Sequence, residues 1–297
     1  MDQQLWARSR DYNNRSVTSP HYNRRGLVKR LRVAALVLLL CGSLKPASAQ
    51  WLQQRDPRLP RTADGKPDLT APTPRLADGS PDLSGIWYPD FAATDPARAN
   101  AQGQTLGEDP VIRLSSSDGK PIPLLPDAKV AFDERQKNGT ASPVTRCLPH
   151  SIPDAMIVPA PFKFIHSAGL TIILLEEYNH FRQIFTDGRA FPPDMQPAWF
   201  GYSIGRWDGD TFVVQTAGFN DKSWLGNGFT HTEQLRTTER FRRVNLGTMQ
   251  LQVTIDDPKT FERPWTTQTI WFRLMPDTDF IENICENERD VPHLRGE

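Results

Sequence analysis

The chain has 297 residues, with 35 Lys+Arg against 35 Asp+Glu, so its formal net charge is zero. Hydrophobic residues make up 38% and charged residues 24%, as in soluble globular proteins, and neutrality argues against a dedicated nucleic-acid binder, which needs a basic excess. Twenty-six prolines against 19 glycines disfavour a mostly helical chain, because proline breaks helices and central strands.

Residues 1–49 read as a cleaved, Tat-like export signal. Arg24-Arg25-Gly26-Leu27-Val28-Lys29 sets a twin arginine ahead of the apolar run Val33–Leu40, and Ala47-Ser48-Ala49 before Gln50 is an A-x-A cleavage site. A Sec signal with an incidental Arg pair is the alternative. The run is too short for a permanent membrane span, so a periplasmic or secreted protein is expected, not an integral membrane protein. This leader holds nine Lys+Arg against Asp2 and Asp11, which leaves 26 basic and 33 acidic residues in the mature chain. Overall neutrality therefore hides an acidic secreted domain, for which nucleic acid and an anionic membrane are poor partners.

Two cysteines remain after the leader, Cys147 and Cys285. In an oxidising compartment, with no CxxC pair, they suggest one structural disulfide; two buried free thiols are the alternative.

Residues 50–81 form a Pro-rich extended arm, and residues 50–161 hold 17 of the 26 prolines. Arg61-Thr62-Ala63-Asp64-Gly65-Lys66-Pro67-Asp68-Leu69-Thr70 recurs fourteen residues later as Arg75-Leu76-Ala77-Asp78-Gly79-Ser80-Pro81-Asp82-Leu83-Ser84. Asp-Gly followed by Pro is turn chemistry, so each copy reads as a turn leading into a short extended piece. Ser84–Tyr88 reads as the first strand of a single domain over 82–291, with a long Pro-rich insertion at about 92–160 that is either an ordered arm or partly disordered. From Phe162 onward, strand patterns follow one another across tight turns: 162–167, 171–177, 181–185, 202–207, 211–217, 233–244, 249–256, 266–275 and 280–286. A Pro-rich loop precedes Trp199. The expected fold is all-β, an antiparallel meander closed into a lipocalin-like barrel, because closure removes exposed edges. A sandwich is the alternative.

Gly85-Ile86-Trp87 on that first strand resembles the Gly-x-Trp entry of lipocalin-type barrels, which implies a small apolar ligand in the barrel interior. The chain from about Asp82 also resembles an uncharacterised family of secreted soil-bacterial proteins. The matching pieces are Pro81-Asp82-Leu83-Ser84-Gly85-Ile86-Trp87, Phe185-Thr186-Asp187-Gly188-Arg189, Gly205-Arg206-Trp207-Asp208-Gly209-Asp210-Thr211 and Thr254-Ile255-Asp256-Asp257-Pro258. That resemblance implies export and no particular activity.

Strand parity locates the candidate site. In 231–243 the odd positions His231, Glu233, Leu235, Thr237, Glu239 and Phe241 share one face and should turn inward, leaving Arg236, Arg240 and Arg242 in solvent. A carboxylate facing a barrel interior is costly unless paired or hydrated, which singles out Glu239, with Arg182 or Arg206 as structural partners. His231 and Glu233 could orient a general base or, with His166, bind a metal. No HExxH, CxxC or spaced His cluster supports a metal, so no cofactor is expected. Trp199 and Trp224 lie in loops and, with Phe241 and His166, are candidate ligand contacts. G-x-S-x-G, P-loop and G-x-G-x-x-G patterns are absent from the sequence. The leading expectation is a barrel binding a small, largely apolar molecule. Its rival is a cofactor-independent lyase, isomerase or hydrolase using His231 and Glu239, with Arg206 or Tyr202 stabilising negative charge. A structural or envelope-interaction protein is the third reading.

Overall fold

The computed structural model describes residues 54–94 and 112–285. The export signal and the stretch 95–111 lie outside the described residues. The strands are β1 (Gly85–Pro89), β2 (Phe162–Ser167), β3 (Leu170–Leu175), β4 (His180–Phe185), β5 (Tyr202–Asp208), β6 (Thr211–Ala217), β7 (Trp224–Gly226), β8 (Phe229–Thr230), β9 (Arg236–Asn245), β10 (Thr248–Asp256), β11 (Trp265–Thr266) and β12 (Ile270–Leu274). The α-helices are α1 (Phe91–Thr94) and α2 (Pro126–Asn138).

Nine strands close a barrel in the order β10-β12-β1-β2-β3-β4-β5-β6-β9 and back to β10, with β11 appended to β10. The closed β-barrel expected from the turn spacing is therefore what forms. It is mixed rather than wholly antiparallel. β4 and β5 run parallel, with Ile184 opposite Ser203, because the Pro-rich connection 186–201 returns the chain to the end where β4 began. Three strand expectations depart from the structure, the first being 266–275, which is split into β11 and β12. The strand expected from Glu233 begins at Arg236, since a turn with Leu235 N–H donating to the Thr232 carbonyl occupies the preceding residues. The strand expected over 280–286 does not pair with β12. Instead the tail crosses to the β3–β4 turn, where Asn283 bridges Glu177.

Alternation decides what fills the barrel. Phe162 and Phe164 of β2, Ile173 of β3, Ile184 of β4, Phe212 and Val214 of β6, Phe241 of β9, Leu251 of β10 and Phe272 of β12 are all buried in one cluster. Their rings meet edge to face, Phe162 with Phe272 at 5.0 Å and Phe164 with Phe241 at 5.3 Å. Burying one such side chain contributes about 1.5–3 kcal/mol, so these rings dominate the stability of the barrel. Even Gly205 is hemmed in: a Cβ there would stand 2.7 Å from Phe212 Cζ and 2.8 Å from Ile184 Cγ2. The end where β4 and β5 start is covered by a second apolar layer from 112–161 and the loops after β6 and β10, including Ile152, Met156, Leu225, Phe229 and Phe261.

The repeats of the arm have a common job. In each, the arginine that opens the motif donates within its own turn to the Gly65 or Gly79 carbonyl and grips a barrel-side aspartate with both Nη atoms: Arg61 holds Asp277, and Arg75 holds Asp210. The Arg61 pair is the more sheltered. The double variant Arg61→Ala/Arg75→Ala should leave the barrel folded, because partly exposed ion pairs contribute only about 0–1 kcal/mol each. It should open the arm to limited proteolysis within residues 54–84, with unchanged cleavage as the contrary result.

Candidate functional site

Glu239 is fully buried, and so is its partner. Arg182 from β4 reaches across the barrel to bind it in bidentate fashion, Nη1 to Oε1 at 2.8 Å and Nη2 to Oε2 at 2.5 Å. The remaining guanidinium N–H groups donate to Ser203 Oγ and Thr216 Oγ1. The carboxylate is thus locked in an ion pair away from water, with each oxygen engaged by the Arg182 guanidinium. Of the two arginines available to it, Arg182 is the structural partner. Arg206 points outward from β5, exposed, toward Gln215.

The other predicted residues do not converge on Glu239. Tyr202 shares the outward parity of Arg206, stacks on Phe185 at 5.0 Å and accepts from Arg189, so neither can stabilise an anion beside Glu239. His231 is buried in the loop before β9, with Nε2 3.1 Å from Ser223 Oγ and Nδ1 3.1 Å from the Thr232 carbonyl. Burial depresses its pKa below the ordinary imidazole value. Glu233 is exposed, because the turn over 232–235 breaks the alternation that was to place it beside His231. His166 sits at the opposite end of the barrel, bonding Thr171 Oγ1 through Nδ1 and accepting the Leu83 N–H at Nε2. The triad His166, His231 and Glu233 is therefore not assembled. Among the described residues, no group of three or more His, Cys, Asp or Glu side chains is placed to hold a metal ion. Phe241 is fully buried core. Trp199 and Trp224 are half-buried, and Arg135 lies 6.0 Å from the Trp224 ring.

A charged cluster unforeseen from the sequence lies beside the tail. His150 is buried between Asp154, at 2.6 Å from Nδ1, and Glu177, at 2.6 Å from Nε2. The second approach is an ion pair without hydrogen-bond geometry. Burial opposes protonation, yet the two carboxylates outweigh it and raise the His150 pKa to about 10. Beside this cluster, Cys147 and Cys285 form the expected disulfide, their Cα atoms 5.7 Å apart. Asn179 Oδ1 accepts the Asn283 N–H. A folded pKa above the unfolded one means that the cluster stabilises fully below about pH 6.5 and fades as pH climbs toward 10. Between pH 7 and 9 the wild type should lose roughly 2–3 kcal/mol more than His150→Gln in urea titrations. Parallel profiles for the two proteins would contradict this.

A groove and a cleft lie outside the barrel interior. A groove of about 750 Å³ runs between the arm, the outer face of β1–β2 and the start of the tail. Leu59, Ala71, Ile86, Leu246, Leu274 and Met275 give it an apolar floor, and Arg55, Arg58, Lys163 and Asp279 stand among its polar groups. Its inner wall is set by Arg243, whose guanidinium lies 4.8 Å over the Trp87 ring and donates to the Asp82, Ser84 and Leu246 carbonyls. Burial lowers the Arg243 pKa to about 10. Arg243 is thus tied into the barrel end and is not free for a ligand. A second cleft of about 680 Å³ lies under the 186–201 connection, and Glu233 is the only predicted site residue that lines either space.

No helix among the described residues is long and apolar enough to cross a membrane. No protein-family model, no curated protein and no solved structure matches this chain.

Proposed function

We propose that the protein binds one small, largely apolar molecule without catalysing its conversion, and that it holds this molecule in the groove between arm and barrel. The observation that carries the reading is the groove itself. Its 750 Å³ falls within the range of about 300–1,000 Å³ common to small-molecule sites, with an apolar floor among polar and charged side chains that make up nearly half of its lining. The interior site implied by the lipocalin-type entry motif is not retained, because rings of Phe162, Phe164, Phe241 and Phe272 occupy that space. The acid–base alternative loses its acid, since Glu239 is committed to Arg182. A periplasmic or extracellular location belongs to the same reading. The Cys147–Cys285 disulfide supports it, as such bonds persist in oxidising compartments.

The test is native mass spectrometry of protein purified from its own host, compared with Ala71→Trp, which fills the groove floor. A retained small molecule in the wild type that is missing from the folded variant supports the reading. Equal retention by both places the ligand elsewhere and overturns it.

A further inference from the structure

We infer that the ligand of this groove is a single-chain amphiphile with an anionic headgroup, and that Lys163 is the residue that selects it. The inference rests on the groove being the binding site. Lys163 lies on β2 between Phe162 and Phe164, which point inward, so alternation sends its side chain to the outer face and into the groove lining. Its cross-strand neighbours are apolar on both sides, Ile86 of β1 and Leu174 of β3. It is half-buried, and among the described residues it has no hydrogen-bond or ion-pair partner.

The other charges of the groove are largely satisfied. Arg58 is paired with Asp56, Asp277 with Arg61, and the Arg243 guanidinium is held by backbone carbonyls. Asp82 accepts the Ser84 N–H. Arg55 and Asp279 remain, both at the exposed rim. Among the described residues, Lys163 is therefore the cation beside the apolar floor that has no hydrogen-bond or ion-pair partner. A neutral ligand laid over that floor would take the ammonium further out of water without pairing it, which is unfavourable. An anionic headgroup removes that penalty and gains a charge-assisted hydrogen bond. The apolar tail then follows the floor of Ile86, Leu274 and Leu246.

Isothermal titration calorimetry at pH 7 with decanoate, decan-1-ol and decylammonium tests this on the wild type, Lys163→Met and Ala71→Trp. The expected result is one-to-one binding of decanoate, about tenfold or more tighter than decan-1-ol, with decylammonium weakest. Lys163→Met should still bind decan-1-ol but lose the preference for decanoate, and Ala71→Trp should bind none of the three. Equal binding of acid and alcohol, or a preference that survives in Lys163→Met, overturns the headgroup assignment and leaves the groove standing. Absence of binding to the wild type, or binding unaffected by Ala71→Trp, overturns the groove reading as well. Co-sedimentation with phosphatidylglycerol vesicles in place of decanoate binding would move the anion to a membrane headgroup and overturn the free amphiphile.

Discussion

Glu239→Gln is expected to destabilise the barrel by about 3–5 kcal/mol, read as a lower urea midpoint at constant slope, because it strips the Arg182 guanidinium of its buried counter-charge. Desolvating an arginine is tolerable here only through the bidentate carboxylate and the hydroxyls of Ser203 and Thr216. Glutamine offers one acceptor oxygen and no charge, so the guanidinium keeps its desolvation penalty while losing most of its compensation. The double variant Arg182→Met/Glu239→Leu removes both charges together and should recover most of the loss, since apolar side chains of similar size suit the cross-strand neighbours Ile173, Val214 and Val253. A Glu239→Gln protein as stable as the wild type would show that the pair contributes nothing. An active-site acid would give a different signature, a large functional loss with little change in stability.

Replacing both cysteines, Cys147→Ser/Cys285→Ser, should have the second large effect. The bond spans 138 residues of sequence, for which the chain-entropy account gives about 5 kcal/mol, and removal of such bonds commonly costs about 2–5 kcal/mol. Here the consequence is also local. The tail from Met275 to Asp279 forms one side of the groove beneath the arm, and its far end is held by Cys285 and the Asn283 contacts with Glu177 and Asn179. Loss of the bond should lower the melting temperature and raise amide exchange over 276–285 before the strands exchange. Exchange confined to global unfolding would show that the tail is held without the disulfide.

Much of the barrel is legible because a strand with one buried face must alternate. Phe162 and Phe164 inward with Lys163 outward, and Thr237, Glu239 and Phe241 inward against Arg236, Arg240 and Arg242, follow directly from the period of two. Continuing the β9 pattern by two residues reaches Arg243, an inward arginine whose role was equally open to that reasoning. Parity fails where backbone geometry leaves the strand. The turn over 232–235 turns Glu233 outward, although it sits two residues from His231. The parallel pairing of β4 with β5 was likewise not readable, since a proline-rich connection shows only that the chain turns and not how far it travels back.

Candidate chemistry was harder to judge because local pattern names residue types but not their partners. Glu239 could be recognised as a buried acid, but only the fold brings Arg182, 57 residues earlier, to both of its oxygens. His150 and Asp154 are four apart in a proline-containing stretch with no helical face, and Glu177 reaches them only through the β3–β4 turn. The sequence by itself determined an all-β chain, its turns, and the inward and outward faces of most strands, and it made a pairing of its last two cysteines the expected one. These rest on alternation, turn chemistry and residue count, which are local or exhaustive properties. Tertiary structure alone decided that aromatic rings fill the barrel, that its buried acid is neutralised across the interior, and that an open groove lies beneath the arm. Those outcomes depend on which side chains meet across closed strands, and no short stretch of sequence records that meeting.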